Sequence, residues 1–199
     1  MIIDCTERTD LPPEWVGMID DPDLRIPALK GALSADPSLP ERLLSLQVTD
    51  STRPYGRRVL LEGENLEIML ASWTRGVPCA PHDHGGSLGV VRVLQGRAHH
   101  KIYRVGAPGL EIVREEIAEA GQLLVCGKDM VHSMGDDGAD QPLVTLHMYT
   151  GPVPYMVVYD TLQEQTLKVD GGCGAWVPAS NSDLLLKRYE GILPVHEVL

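Results

Sequence analysis

From about Gly56 onward the chain is written in short apolar or alternating runs, each closed within a few residues by Gly, Pro or Asp. An amphipathic helix needs its apolar positions to recur every three or four residues over roughly ten or more, and runs this short cannot supply that. Strands can, because each needs only about four to eight residues before a turn. Candidate strands are Leu66 to Trp73, Gly89 to Leu94, Ala98 to Tyr103, Glu111 to Ile117, Leu123 to Cys126, Leu143 to Tyr149 and Met156 to Tyr159. Gly96 falls between two of them, and Gly63, Gly109, Gly121 and the Gly135 to Gly138 stretch punctuate the others. The pattern predicts a mainly β chain closed into a sandwich or barrel of short antiparallel strands.

The first fifty residues read differently. Asp23 to Leu33 and Ser38 to Leu46 carry roughly helical apolar spacing, and Ser38-Leu39-Pro40-Glu41 has the form of a capping box with proline in the first turn. A small helical layer over residues 1–52, a barrel over 53–170 and an extension over 171–199 make one domain, and 199 residues require no second one. In the extension, Asp183 to Tyr189 is expected to form a short exposed helix.

A formal net charge of -11 opposes binding to nucleic acid or an anionic membrane surface, since both repel an acidic protein. A small-molecule partner follows. Met1 to Pro13, with Asp4, Glu7 and Asp10, lacks a basic start and apolar stretch, and no apolar run nears the roughly 20 residues of a membrane span. A cytoplasmic protein is expected, with reduced thiols. Cys5, Cys79, Cys126 and Cys173 form no Cys-x-x-Cys pair, so they outline neither a disulfide framework nor a zinc knuckle.

The most informative segment is Pro81-His82-Asp83-His84. On an extended strand, residues i and i+2 project to the same face, so His82 and His84 can share one metal ion. Alone, the pair is a weak signal. Gly76, the five residues before His82, and Gly96 beyond reproduce the spacing of the first cupin motif. Gly121, His132 and Asp136 are similar to the second, with Gly127 and Asp129 where that motif has proline and glycine. The resemblance implies a single jelly-roll cupin barrel with His132 as third ligand. Gly89 stands where many cupins place a glutamate ligand, leaving three neutral imidazoles and an uncompensated cation that favours an anionic substrate atom such as a thiolate. By chemistry alone the three histidines suit zinc, copper or nickel as well as iron.

Within the cupins, the chain from about Tyr55 to Asp160 resembles the cysteine dioxygenases and related thiol dioxygenases. Four features carry the likeness: Tyr55-Gly56-Arg57, the run from Pro81 to Gly89, His132, and Thr145-Leu146-His147-Met148-Tyr149. It implies Fe(2+) on His82, His84 and His132, a small carboxylated thiol and dioxygen as substrates, and a sulfinic acid product. Arg57, with Tyr55 beside it, would clamp the carboxylate. Tyr149 would donate a hydrogen bond toward substrate and oxygen, oriented by His147 and Thr145.

Two departures bear on the expectation. Gly89 replaces the cysteine that animal members crosslink to the tyrosine, so the resemblance is to bacterial members with an unmodified Tyr149. Thr150-Gly151-Pro152 replaces a Ser-Pro-Pro loop, which leaves cysteine, 3-mercaptopropionate and mercaptosuccinate as candidate thiols. A cupin acting on a carbon substrate with another metal, and a barrel that binds without turnover, are the competing classes. His99 and His100, on opposite faces of one strand, and His196 in the tail are expected to be surface or packing residues.

Overall fold

The computed structural model describes residues 11–106 and 109–198. Cys5, Asp4, Glu7 and Asp10 lie outside the described residues. Three short helices come first, α1 (Pro13–Gly17), α2 (Ile26–Ser34) and α3 (Leu39–Leu43), the last running into a 3-10 turn, Leu44–Leu46. The remainder is a mostly β jelly roll. Its strands are β1 (Tyr55–Glu62), β2 (Glu67–Trp73), β3 (Gly89–Gln95), β4 (Arg97–Gly106), β5 (Gly109–Glu119), β6 (Leu123–Cys126), β7 (Val131–Asp136), β8 (Val144–Tyr149), β9 (Tyr155–Asp160), β10 (Gln165–Asp170) and β11 (Leu185–Glu190).

One sheet has the order β1-β2-β8-β3-β6. Its central strands are buried on both faces, which is why they read as continuous apolar runs and not as strict alternation. The outward residues Ile68, Leu70, Val90, Val144, Leu146 and Met148 pack on Trp15, Leu29, Leu33, Leu39 and Leu43 of the helices. The inward residues of the same strands, Met69, Ala71, Trp73, Val91, Val93 and Tyr149, line a second core that contains the cavity. The helical layer therefore seals one face of the sheet so that the other can hold polar groups.

The second layer is formed by β5-β4-β7 and β11-β10-β9. The segment around His82 joins them. His82 and His132 exchange backbone hydrogen bonds of 2.9 Å each, and on the other side Asp83 N–H reaches Val157 C=O at 3.1 Å. The histidine segment is thus a short connecting strand, and its pairings set the register of His82 against β7 and β9.

Three expectations are corrected. Asp183 to Tyr189 is not a helix: Leu185–Glu190 is the edge strand β11, paired to β10. Leu185 and Tyr189 are half-buried, while Leu186, Lys187 and Arg188 between them are exposed, as suits a sheet edge. The capping box does not form either, because the Ser38 hydroxyl donates to Asp36 Oδ1 at 2.7 Å and leaves α3 without a side-chain cap. The helical stretch read from Asp23 begins at Ile26, since Asp23 N–H is held in a turn by Asp21 Oδ1 at 2.9 Å.

Candidate active site

Three cross-strand rows of the first sheet build the inner wall. Tyr149 sits opposite Glu67 on β2 and Gly89 on β3, His147 opposite Met69 and Val91, and Thr145 opposite Ala71 and Val93. Strand alternation points all three β8 residues inward. Gly89 is what makes room for the phenol, because a Cβ there would stand 2.5 and 2.6 Å from Tyr149 ring carbons.

Opposite this wall, the ring nitrogens of His82, His84 and His132 lie within 4.8 Å of one another, all three residues buried. Asp83, between the first two, points the other way, and its Oδ1 accepts Val157 N–H at 2.6 Å, pinning the segment to β9. His82 Nδ1 donates to Ala80 C=O at 2.9 Å, which leaves its Nε2 lone pair free. Nε2 of His132 faces Nε2 of His84 at 3.3 Å. Burial pushes the His82 imidazole down to about 4 and those of His84 and His132 well below their ordinary value, so all three are neutral at pH 7. Converging neutral lone pairs in a buried space are the donor set a divalent cation satisfies, and this group could hold a metal ion.

The β8 side chains form one directed chain. Trp73 Nε1 can only donate, and it reaches Thr145 Oγ1 at 2.8 Å. The Thr145 proton then goes to His147 Nε2 at 2.8 Å. Burial holds His147 down to about 3, so it is neutral and carries its one proton on Nδ1, which donates to the Tyr149 oxygen at 2.9 Å. The phenol's own proton is left to point at the histidine cluster, with His84 Nε2 3.3 Å away. Burial, with Cys126 next in weight, keeps the phenol well above its ordinary value, so it is a neutral donor.

Arg57 and Tyr55 lie on β1 and line the same cavity, whose volume is about 30 Å³. Arg57 is already engaged. Its Nη2 donates to buried Glu67 at 2.7 Å and its Nε to Met69 Sδ at 3.3 Å, leaving Nη1 without a partner among the described residues. Tyr55 packs at a tilt on Trp73 and edge-on against Trp176, and its hydroxyl accepts Ala175 N–H at 2.9 Å, so it ties the C-terminal extension over the cavity.

The structure thus brings together every residue singled out in the sequence: Tyr55, Arg57, His82, His84, His132, Thr145, His147 and Tyr149. It adds Glu67, which faces Arg57, and Trp73, which sets the direction of the hydrogen-bond chain. It also gives His100, read as a surface or packing residue, a specific partner. That residue is buried, and its Nε2 lies 2.8 Å from His132 Nδ1, behind a candidate ligand. His99, on the opposite face, pairs with Glu115 at 2.5 Å, and His196 is exposed. Alternation told that one of the two histidines had to face inward, but not that β7 would be what it faced.

A jelly roll with a buried three-histidine cluster that could hold a metal ion has the form of a cupin. More narrowly, the cysteine dioxygenase type I family model matches residues 34–162, more than half of the sequence, and the chain belongs to that family. Membership points to a metal-dependent oxidoreductase acting on a small thiol with dioxygen. Similar solved structures include a double-stranded β-helix protein from Klebsiella pneumoniae (17% identity, 59% of this chain and 95% of that one, TM-score 0.47). An oxalate decarboxylase from Lactobacillus farciminis is also similar (15% identity, 58% of this chain and 34% of that one, TM-score 0.46). Among the described residues no helix is long and apolar enough to cross a membrane.

Proposed function

We propose that the protein is an iron-dependent thiol dioxygenase that converts cysteine to cysteine sulfinic acid. Both oxygens of dioxygen become bonded to sulfur as the O–O bond breaks, the electrons come from sulfur, and the thiol proton is released. The observation that carries this reading is the donor chain ending on Tyr149. That chain sets the Tyr149 oxygen 3.3 Å from Nε2 of His84 in the three-histidine cluster.

His82, His84 and His132 would hold the ion, which when bound supplies open positions for substrate and a path for electrons between sulfur and dioxygen. The protein's own residues do the rest. Arg57 offers its Nη1 edge to the substrate carboxylate, and Tyr55, whose hydroxyl accepts from Ala175 N–H, lines the cavity beside it. Tyr149 donates to negative charge developing on oxygen, where a preorganised donor in a dry site is worth about 3 to 4 kcal/mol. Met69, Trp73 and Val153 on the cavity wall exclude water.

The test is oxygen uptake by Fe(II)-loaded protein with cysteine, 3-mercaptopropionate and mercaptosuccinate in parallel. Coupled uptake and sulfinate formation fastest with cysteine is the expected result. Preference for another thiol acid would keep the mechanism and change the substrate, and uptake with none of them would overturn the reading.

A further inference from the structure

His100 and Glu116 lie behind His132, on the side away from the cavity, and neither has a role in the reading above. His100 is on β4 and Glu116 on the adjacent β5, cross-strand partners in register. Glu116 Oε1 is 3.1 Å from His100 Nδ1, and His100 Nε2 is 2.8 Å from His132 Nδ1. The Glu116 carboxylate also accepts from Arg114 Nη2 at 2.7 Å, so it is held in place from the surface side.

Proton bookkeeping leaves one arrangement for neutral rings. A carboxylate only accepts, so the His100 proton is on Nδ1. Its Nε2 must then accept, which places the His132 proton on Nδ1 and a bare lone pair on Nε2, the nitrogen that faces His84. With the other His132 tautomer, an N–H would point into the cluster and exclude a cation. The three candidate ligands differ in this respect. His82 is fixed by a backbone carbonyl and His84 Nδ1 has no hydrogen-bond partner among the described residues, whereas His132 is fixed by side chains alone.

We propose that Glu116 and His100 are positioning residues that select the ligating tautomer of His132 and thereby set the metal affinity of the site. The inference rests on the three histidines being the metal ligands. Groups in this relation to a ligating imidazole typically change metal affinity by about 10- to 100-fold.

The experiment measures Co(II) affinity by chelator competition, and the Co(II) visible spectrum, on the full chain and four variants. His100→Phe fills the buried space but cannot accept from His132, and about 10- to 100-fold weaker binding with a changed spectrum is expected. His100→Gln returns an acceptor at the same place, so it should recover most of the affinity. Glu116→Gln alters only the half-exposed end of the relay and should weaken binding by a smaller factor. If His100→Phe fails to fold, Glu116→Gln decides: affinity and spectrum indistinguishable from wild type would overturn the proposal, as would an unchanged His100→Phe. Wild-type protein that does not bind Co(II) would instead refute the ligand set itself, and His132→Ala, expected to abolish binding, separates the two failures.

Discussion

Thr145→Val is the sharpest test of the hydrogen-bond chain, because it changes neither the shape of the core nor any group that touches substrate. The Thr145 hydroxyl is what distinguishes the two ends of the His147 ring: it takes the Trp73 proton and gives its own to Nε2. Without it, each neutral tautomer of His147 leaves one nitrogen unpaired, so the bias toward Nδ1–H is lost. A buried hydrogen bond of this kind is worth about 1–3 kcal/mol, which is roughly a 5- to 150-fold shift in the tautomer ratio. Once Nδ1 is bare, it accepts the Tyr149 proton, and the phenol turns its donor away from the cavity. Turnover of Thr145→Val should therefore fall toward that of Tyr149→Phe, itself down by about 100- to 1000-fold. Thr145→Ser should stay near wild type. The assay is thiol-dependent oxygen uptake normalised to bound iron, with the melting temperature recorded beside it, since the orphaned Trp73 N–H also costs about 1–3 kcal/mol. Wild-type turnover in Thr145→Val, or equal losses in the Val and Ser variants, would refute the directed chain.

Other consequences are open to direct measurement. Gly89→Ala forces the Tyr149 ring to move, so turnover should drop severalfold or more while iron content, read by elemental analysis, is unchanged; unaltered turnover would mean that the ring position is unimportant. Glu67→Gln frees a charged edge of Arg57, and the KM for carboxylated thiols should fall about three- to tenfold, or about 1 kcal/mol, whereas a rise would mean that Glu67 holds Arg57 in its working position. His147, held down to about 3 against an ordinary 6.5, contributes stability that is full above pH 6.5 and lost as pH falls toward 3. Wild type should thus lose up to about 5 kcal/mol more than His147→Leu on acidification across that window, read from urea titrations at several pH values. Parallel pH dependences would contradict it.

Much of this site is legible in the sequence because strand periodicity does the positioning. His82 and His84, and Thr145, His147 and Tyr149, are each spaced by two residues, so one face collects them without further information. The β2, β3 and β8 runs are equally readable, being long and apolar. What is not legible comes from pairing. Glu67 reads as an ordinary polar residue at a strand start until β1 brings Arg57 beside it, and His100 reads as one of two histidines on opposite strand faces, its partner unknown until β7 lies next to β4. The β1, β10 and β11 strands were hidden by Arg57, Arg58, Lys168, Lys187 and Arg188, whose charges interrupt the apolar pattern at positions the sheets leave half-exposed or exposed.

The most direct measurement is the fate of isotopically labelled dioxygen in a single turnover of the Fe(II)-loaded protein with cysteine. A thiol dioxygenase places both labelled atoms in the sulfinic acid. One labelled atom, or cystine with hydrogen peroxide as the product, would contradict dioxygenation and leave only a three-histidine site that oxidises thiols by another route.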